Sequence, residues 1–145
     1  MDEYLDKAFT ETETYLCDNI EAVMKYAKAL KEYGENVRIL FVQTFDDFNS
    51  DKPNNLLLSD LNFLGYDVIY HCGFFSAIHD DLYINVPDPI QKYTKLLNAN
   101  GIFSEYSSAR DFLSDIDRCI DKGYDLEPSD GFDIIKLFEL VNVNV

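Results

Sequence analysis

Two histidines, three cysteines and several close pairs of carboxylates are the residues here whose types could do chemistry. His71 and His79 stand eight positions apart across Gly73, which is not the spacing that lets two imidazoles on one helix face share a metal. Asp80 and Asp81 adjoin His79, so in principle one imidazole with two carboxylates offers a metal site or a general base. The plainer reading of the same residues is a polar surface turn. Cys72 follows His71 directly, but neighbours on a strand point to opposite faces, which separates a thiol from its base. Ser76 lies in Phe-Phe-Ser-Ala-Ile and lacks the flanking glycines of a nucleophile elbow. The six glycines each stand alone, so no glycine-rich phosphate loop is present. The expectation is a protein with no catalytic residue, no cofactor and no bound metal.

The carboxylates remain. Asp46-Asp47 and Asp80-Asp81 are adjacent, while Asp111 with Asp115 and Asp117 with Asp121 are four apart on one predicted helix. Like charges at that spacing cost a helix roughly 0.2–0.5 kcal/mol per pair, which Arg110, Arg118 and Lys122 relieve in part. Residues 46–51 lack the glycine and the closing glutamate of a calcium loop. Such carboxylates form either a solvated face or a surface where charge-assisted pairs meet the Arg and Lys of a basic protein.

The whole chain leans the same way. Twenty-seven acids stand against 12 bases, a formal net charge of −15. That surface repels nucleic acid and anionic lipid, both of which need neutralising cations. It attracts basic proteins and steers their approach, or serves solubility alone. Hydrophobic residues make up 47% and aromatics 14%, enough for a packed core and too many for a disordered chain. At 145 residues the expectation is one globular domain over 1–145. Cys17, Cys72 and Cys119 are odd in number and widely spaced, which describes neither a disulfide framework nor a zinc site. Cys17 and Cys119 read as small core residues. The opening MDEYLDKAFTETETYL carries acids where a secretory signal would carry bases, and no run nears the ~20 apolar residues of a membrane span. The cytoplasm is the expected compartment.

Thr10 and Glu13 have capping-box spacing, and Leu16, Ile20, Val23, Ala27 and Leu30 make a helical stripe that Gly34 should close. Residues 37–45 read as a strand, 46–55 as a loop, 56–64 as a short helix ended by Gly65, and 67–72 as a strand ended by Gly73. Residues 74–84 fit neither period. Asp88-Pro89 should open a helix carrying Ile90, Tyr93 and Leu97, with Gly101 ending it. Ser107 or Ser108 should cap a helix with the stripe Ala109, Phe112, Leu113, Ile116 and Ile120, closed by Gly123. Ser129 or Asp130 should open a last helix through Leu140; the tail 141–145 alternates with period two, which leaves an edge strand open there as the alternative to helix. The expected fold class is therefore α+β: a helix-rich single domain with a small two- or three-stranded sheet.

Three short segments carry a resemblance. They are Leu64-Gly65-Tyr66-Asp67-Val68, Gly73-Phe74-Phe75-Ser76-Ala77-Ile78 and Leu97-Asn98-Ala99-Asn100-Gly101-Ile102-Phe103. Together they resemble a pattern of small bacterial immunity proteins that accompany polymorphic toxins, including contact-dependent growth inhibition systems. The resemblance implies a protein that binds a cognate toxin C-terminal domain, often a basic nuclease, and blocks it, with no direct contact to nucleic acid or membrane. Binding residues in that family vary with the toxin, so acidic and aromatic candidates follow from charge and expected exposure instead. They are Asp46, Asp47, Asp51, Asp80, Asp81, Tyr106 and Asp115. Two rival readings stand beside it. One is an acidic nucleic-acid mimic or adaptor that sequesters a basic nucleic-acid-binding protein; the other is a small metal-dependent enzyme using His71 and His79.

Overall fold

A computed structural model describes residues 20–44, 60–71, 76–78 and 88–141. These residues build an α+β fold: α1 (Ile20–Glu32), β1 (Leu40–Gln43), β2 (Leu61–Tyr70), α2 (Asp88–Gln91), α3 (Tyr106–Asp121) and β3 (Phe132–Leu140). Short 3-10 turns at Lys92–Leu96 and Ser129–Gly131 extend α2 and precede β3. The strands form one antiparallel sheet in the order β1-β3-β2, with Leu40 opposite Glu139 and Tyr70 opposite Phe132.

The central strand corrects one expectation. Residues 132–140 are β3, not the end of a helix opened by Ser129 or Asp130. Phe132, Ile135 and Phe138 are spaced three apart, as a helix stripe would be. The polar residues Asp133, Lys136 and Glu139 are also three apart, so the apolar remainder fits a helical period while the chain pairs as a strand on both edges. The β-branched Ile134-Ile135 pair favours the strand.

A second correction lies in β2. Its first residues were expected to end a helix at Gly65, yet residues 61–70 are strand throughout, and the expected residues 56–59 fall outside the described residues. Gly65 is not a cap. The pairing steps from Phe63 opposite Phe138 to Gly65 opposite Leu137, leaving Leu64 as the extra residue of a β-bulge. Gly65 holds φ 140°, and a Cβ there would lie 2.5 Å from the carbonyl oxygen of Phe103.

What approaches Gly65 so closely is a turn. Gly101 was expected to end the helix that Asp88-Pro89 opens; that helix does begin at Asp88 but ends at Leu96, and Gly101 belongs to a small hairpin. Leu97 and Phe103 bridge, the Asn98 N–H donates to the Ile102 carbonyl (2.8 Å), and the Gly101 N–H donates to the Asn98 carbonyl (3.0 Å). The Asn98 side-chain oxygen accepts the Asn100 N–H at 2.8 Å, which sets the turn locally.

Of the three remaining glycine assignments, Gly73 lies outside the described residues and the other two agree with the structure. After α1 the Gly34 N–H donates to the Lys31 carbonyl and the Glu35 N–H to the Leu30 carbonyl. After α3 the Gly123 N–H donates to Ile120 and the Tyr124 N–H to Cys119, the same double closure. The start expected for α1 at Thr10 lies outside the described residues. α3 begins at Tyr106, with Glu105 before it, so Ser107 and Ser108 sit inside the first turn and do not cap it.

α3 buries Ala109, Phe112 and Ile116 of its expected stripe, together with Cys119, while Leu113 and Ile120 are half-buried against the core. Phe112 meets Phe103 and Tyr93 with ring centroids 5.8 Å and 5.4 Å apart, and the Tyr93 ring stands edge-on to both. Val68, Ile135 and Leu137 carry this core into the sheet. Among residues 74–84 only 76–78 are described: Ser76 bridges to Ile69, and Ala77 and Ile78 are fully buried.

Candidate functional site

Cross-strand partners share a face of a sheet, and the register brings five aromatic rings together around one. Phe41 on β1 lies opposite Phe138 on β3, which lies opposite Phe63 on β2; Tyr66 on β2 lies opposite Lys136 on β3. The rings touch in sequence: Phe41 to Phe138 at 6.2 Å, Phe138 to Phe63 at 5.6 Å, Phe63 to Tyr66 at 5.4 Å, and Tyr66 to Tyr106 of α3 at 5.8 Å. Lys136 places its ammonium 5.5 Å from the centroid of Phe63 and 5.2 Å from that of Phe138, a cation–π contact with each. Phe63 is 43% exposed and the other rings are half-buried, so the strip reaches solvent along the sheet. At its Tyr66 end burial raises the phenol pKa, with the charge of Glu105 and then Tyr106 adding to it. Tyr106 is thus brought to this strip, as a candidate residue at its end.

The opposite face of the sheet buries a carboxylic acid. Asp67 is wholly inaccessible and lies opposite Ile135. Its Oδ1 accepts the Val68 N–H at 2.8 Å and the Ser76 hydroxyl at 2.7 Å, while Oδ2 has no hydrogen-bond partner. Burial pushes its pKa up to about 7, against the smaller opposing pull of the two hydrogen bonds. The acceptor role is structural: it takes a strand N–H that β3 does not use and ties residue 76 to β2.

Asp115 departs from its expected role. It was a candidate for contact with a partner, but it is 7% exposed and its carboxylate is satisfied inside the chain. The Tyr93 hydroxyl donates to Oδ2 at 2.6 Å, Lys92 Nζ lies 2.8 Å from the same oxygen, and Arg118 donates to Oδ1. Burial favours the neutral acid, but the bonds from Lys92, Tyr93 and Arg118 outweigh it and hold the pKa below the usual carboxylate range. The physical reason is position: residue 115 lies on the α3 stripe between Phe112 and Ile116, where it faces the 3-10 turn and not water. Asp117 is also engaged, its oxygens accepting the Ser129 N–H at 2.9 Å and the Ser129 hydroxyl.

The remaining candidates, Asp46, Asp47, Asp51, Asp80 and Asp81, lie outside the described residues, as do His79 and Cys72. His71 closes the end of β2: its N–H donates to the Gly131 carbonyl at 3.0 Å, and Nε2 lies 3.1 Å from both the Phe132 carbonyl and an Asp133 carboxylate oxygen. Among the described residues no group of three His, Cys, Asp or Glu side chains is placed to hold a metal, and no helix is long and apolar enough to cross a membrane.

Sequence reasoning missed Phe41, Phe63, Tyr66, Lys136 and Phe138. The signal was present as Ile134-x-Lys136-x-Phe138, the alternation of a strand, but it needed β3 to be recognised as one. Comparison with protein-family models, curated proteins and solved structures gives no match.

Proposed function

We propose that this chain is a binding protein that recognises and neutralises a basic protein, as an immunity protein does a cognate toxin domain such as a nuclease. The observation that carries the reading is a solvent-reaching strip of aromatic rings on a chain of net charge −15. Charge of one sign steers a basic partner in and orders its approach, whereas rings supply the buried area that holds it. The resemblance in the sequence is consistent with this. Its first and third segments form one structural unit, the bulge at Gly65 with the 97–103 hairpin docked on it. A partner of this kind would be met in the cytoplasm.

The nucleic-acid mimic is less well supported. It needs carboxylates free along one face, and Asp115, Asp117 and Glu139 are spent on Lys92 with Arg118, on Ser129, and on Arg38 at 2.7 and 2.8 Å.

The test is co-expression with the product of the adjacent upstream gene. The expected result is a complex that survives moderate salt and cells that tolerate the neighbour only when this chain is present. A neighbour without a toxin domain, or a pair that does not associate, refutes the reading.

A further inference from the structure

We propose that the solvent-reaching ring of Phe63 and the half-buried ring of Phe138, with Lys136 resting on them, form the dock for an arginine side chain of the basic partner. This inference rests on the reading of the chain as a binder of a basic protein. Four observations converge on it. The rings already accept a cation, since one ammonium lies within 6 Å of both centroids. Phe63 has 43% of its surface in water, and its neighbours along the strip hold it in place by ring–ring contact on both sides. A pre-placed ring loses little freedom on binding. Glu105 lies near the far end of the strip, close enough to act on Tyr66, and adds a negative group beside the rings.

The occupant follows from charge. A second copy of this chain carries the same net charge of −15 and is repelled as it approaches. A basic partner is attracted at long range and offers Lys and Arg at short range. Between these, the guanidinium is flat and weakly hydrated and stacks on a ring face more favourably than an ammonium. Arginine therefore displaces Lys136 from Phe63 and Phe138, and the released ammonium returns to water at little cost.

The experiment uses the full chain and a hexa-arginine amide as probe, with titration calorimetry at low salt and proton shifts of the aromatic side chains read by NMR. The expected result is binding, with the largest shifts at Phe63 and Phe138. Phe63→Ala and Phe63→Leu should each weaken it about two- to fivefold, the size of one exposed cation–π contact. Lys136→Ala should tighten binding more than Lys122→Ala, which removes the same charge from the exposed end of α3. Thermal melts of each variant establish that it is folded; Phe63, half in water, is expected to tolerate both changes.

Outcomes separate the dock from the reading beneath it. If the peptide binds but the Phe63 variants match the wild type, or the two lysine variants behave alike, the dock is wrong and the basic-partner reading stands. If only Phe63→Leu keeps full affinity, the contact is apolar and the arginine assignment is wrong. If the free chain dimerises and Phe63→Ala abolishes it, the face belongs to a second copy. If the wild type does not bind the peptide, both fall.

Discussion

The side-chain amide of Asn98 donates a 2.8 Å hydrogen bond to the backbone carbonyl of Leu64, the extra residue of the β2 bulge. Asn100 reaches the same carbonyl at 3.3 Å. Two residues on, the Tyr66 N–H and carbonyl exchange bonds of 2.7 and 3.0 Å with Phe103. A hairpin 34 residues away in sequence is thereby fastened to the edge of the sheet, and Gly65 provides the room.

Gly65→Ala is expected to destabilise the fold by about 2–4 kcal/mol, through positive-φ strain and overlap with a backbone oxygen that has nowhere to go. Asn98→Ala should cost about 1–3 kcal/mol by removing the shorter of the two bonds to the Leu64 carbonyl and the side-chain acceptor of the turn. Because both changes loosen one contact, the double variant should lose less than the sum. Urea denaturation of the three proteins measures this; strict additivity would show that bulge and hairpin do not act together.

Asp67 predicts a pH dependence. Its folded pKa, about 7, lies above the unfolded value, so the folded state holds a proton that the unfolded state gives up. Its favourable contribution is complete below the unfolded pKa and is lost as pH rises through about 7, by on the order of 3–4 kcal/mol. Asp67→Asn cannot ionise and should remove that slope between pH 4 and 7. Equal slopes in wild type and variant would remove Asp67 from the account.

Asp115 acts in the opposite sense. Its pKa is held below the unfolded value by Lys92, Tyr93 and Arg118, so its contribution is present above roughly pH 4 and lost as pH falls below it. Glu139, lowered by the Arg38 guanidinium, adds to the same limb. The two trends together place maximum stability in mildly acid solution. Asp115→Asn should cost about 1–3 kcal/mol at neutral pH and flatten the acid limb, as chemical denaturation at pH 3 to 7 would reveal.

Asp117→Ala should release Ser129 and the 3-10 turn that leads into β3, at about 1–2 kcal/mol, and leave α3 intact. Amide hydrogen exchange is the suitable readout. Protection should fall at Ser129 and Gly131 and hold at Phe112 and Ile116. Uniform loss across the chain contradicts a local latch.

The helices were the legible part of the fold. α1 and α3 carry apolar stripes closed by glycines that a backbone of positive φ requires, so composition and spacing agree. The sheet was half legible. β1 and the second half of β2 are β-branched and aromatic, but residues 132–140 satisfy a helical period equally well, and only pairing on both edges decides between the two. Gly65 and Gly101 were misread for one reason: a lone glycine after an apolar run looks the same whether it caps a helix, relieves a bulge or turns a hairpin. Of the candidate residues, Tyr106 follows from its aromatic ring and expected exposure, and it lies half-buried against Tyr66 at the end of the strip. Asp115 was misassigned because a carboxylate between Phe112 and Ile116 gives no sign that Lys92, Tyr93 and Arg118 will converge on it. The ring strip was invisible without the register, since its members come from three strands and a helix.

β3 lies between β1 and β2 in space but after both in sequence. During synthesis, at about 5–20 residues per second, β1 and β2 wait several seconds for the strand that joins them. No pairing of the observed register is available before residues 132–140 emerge from the ribosome. Both pairings of the sheet therefore wait for β3, and so do the ring contacts that Phe138 makes with Phe41 and Phe63.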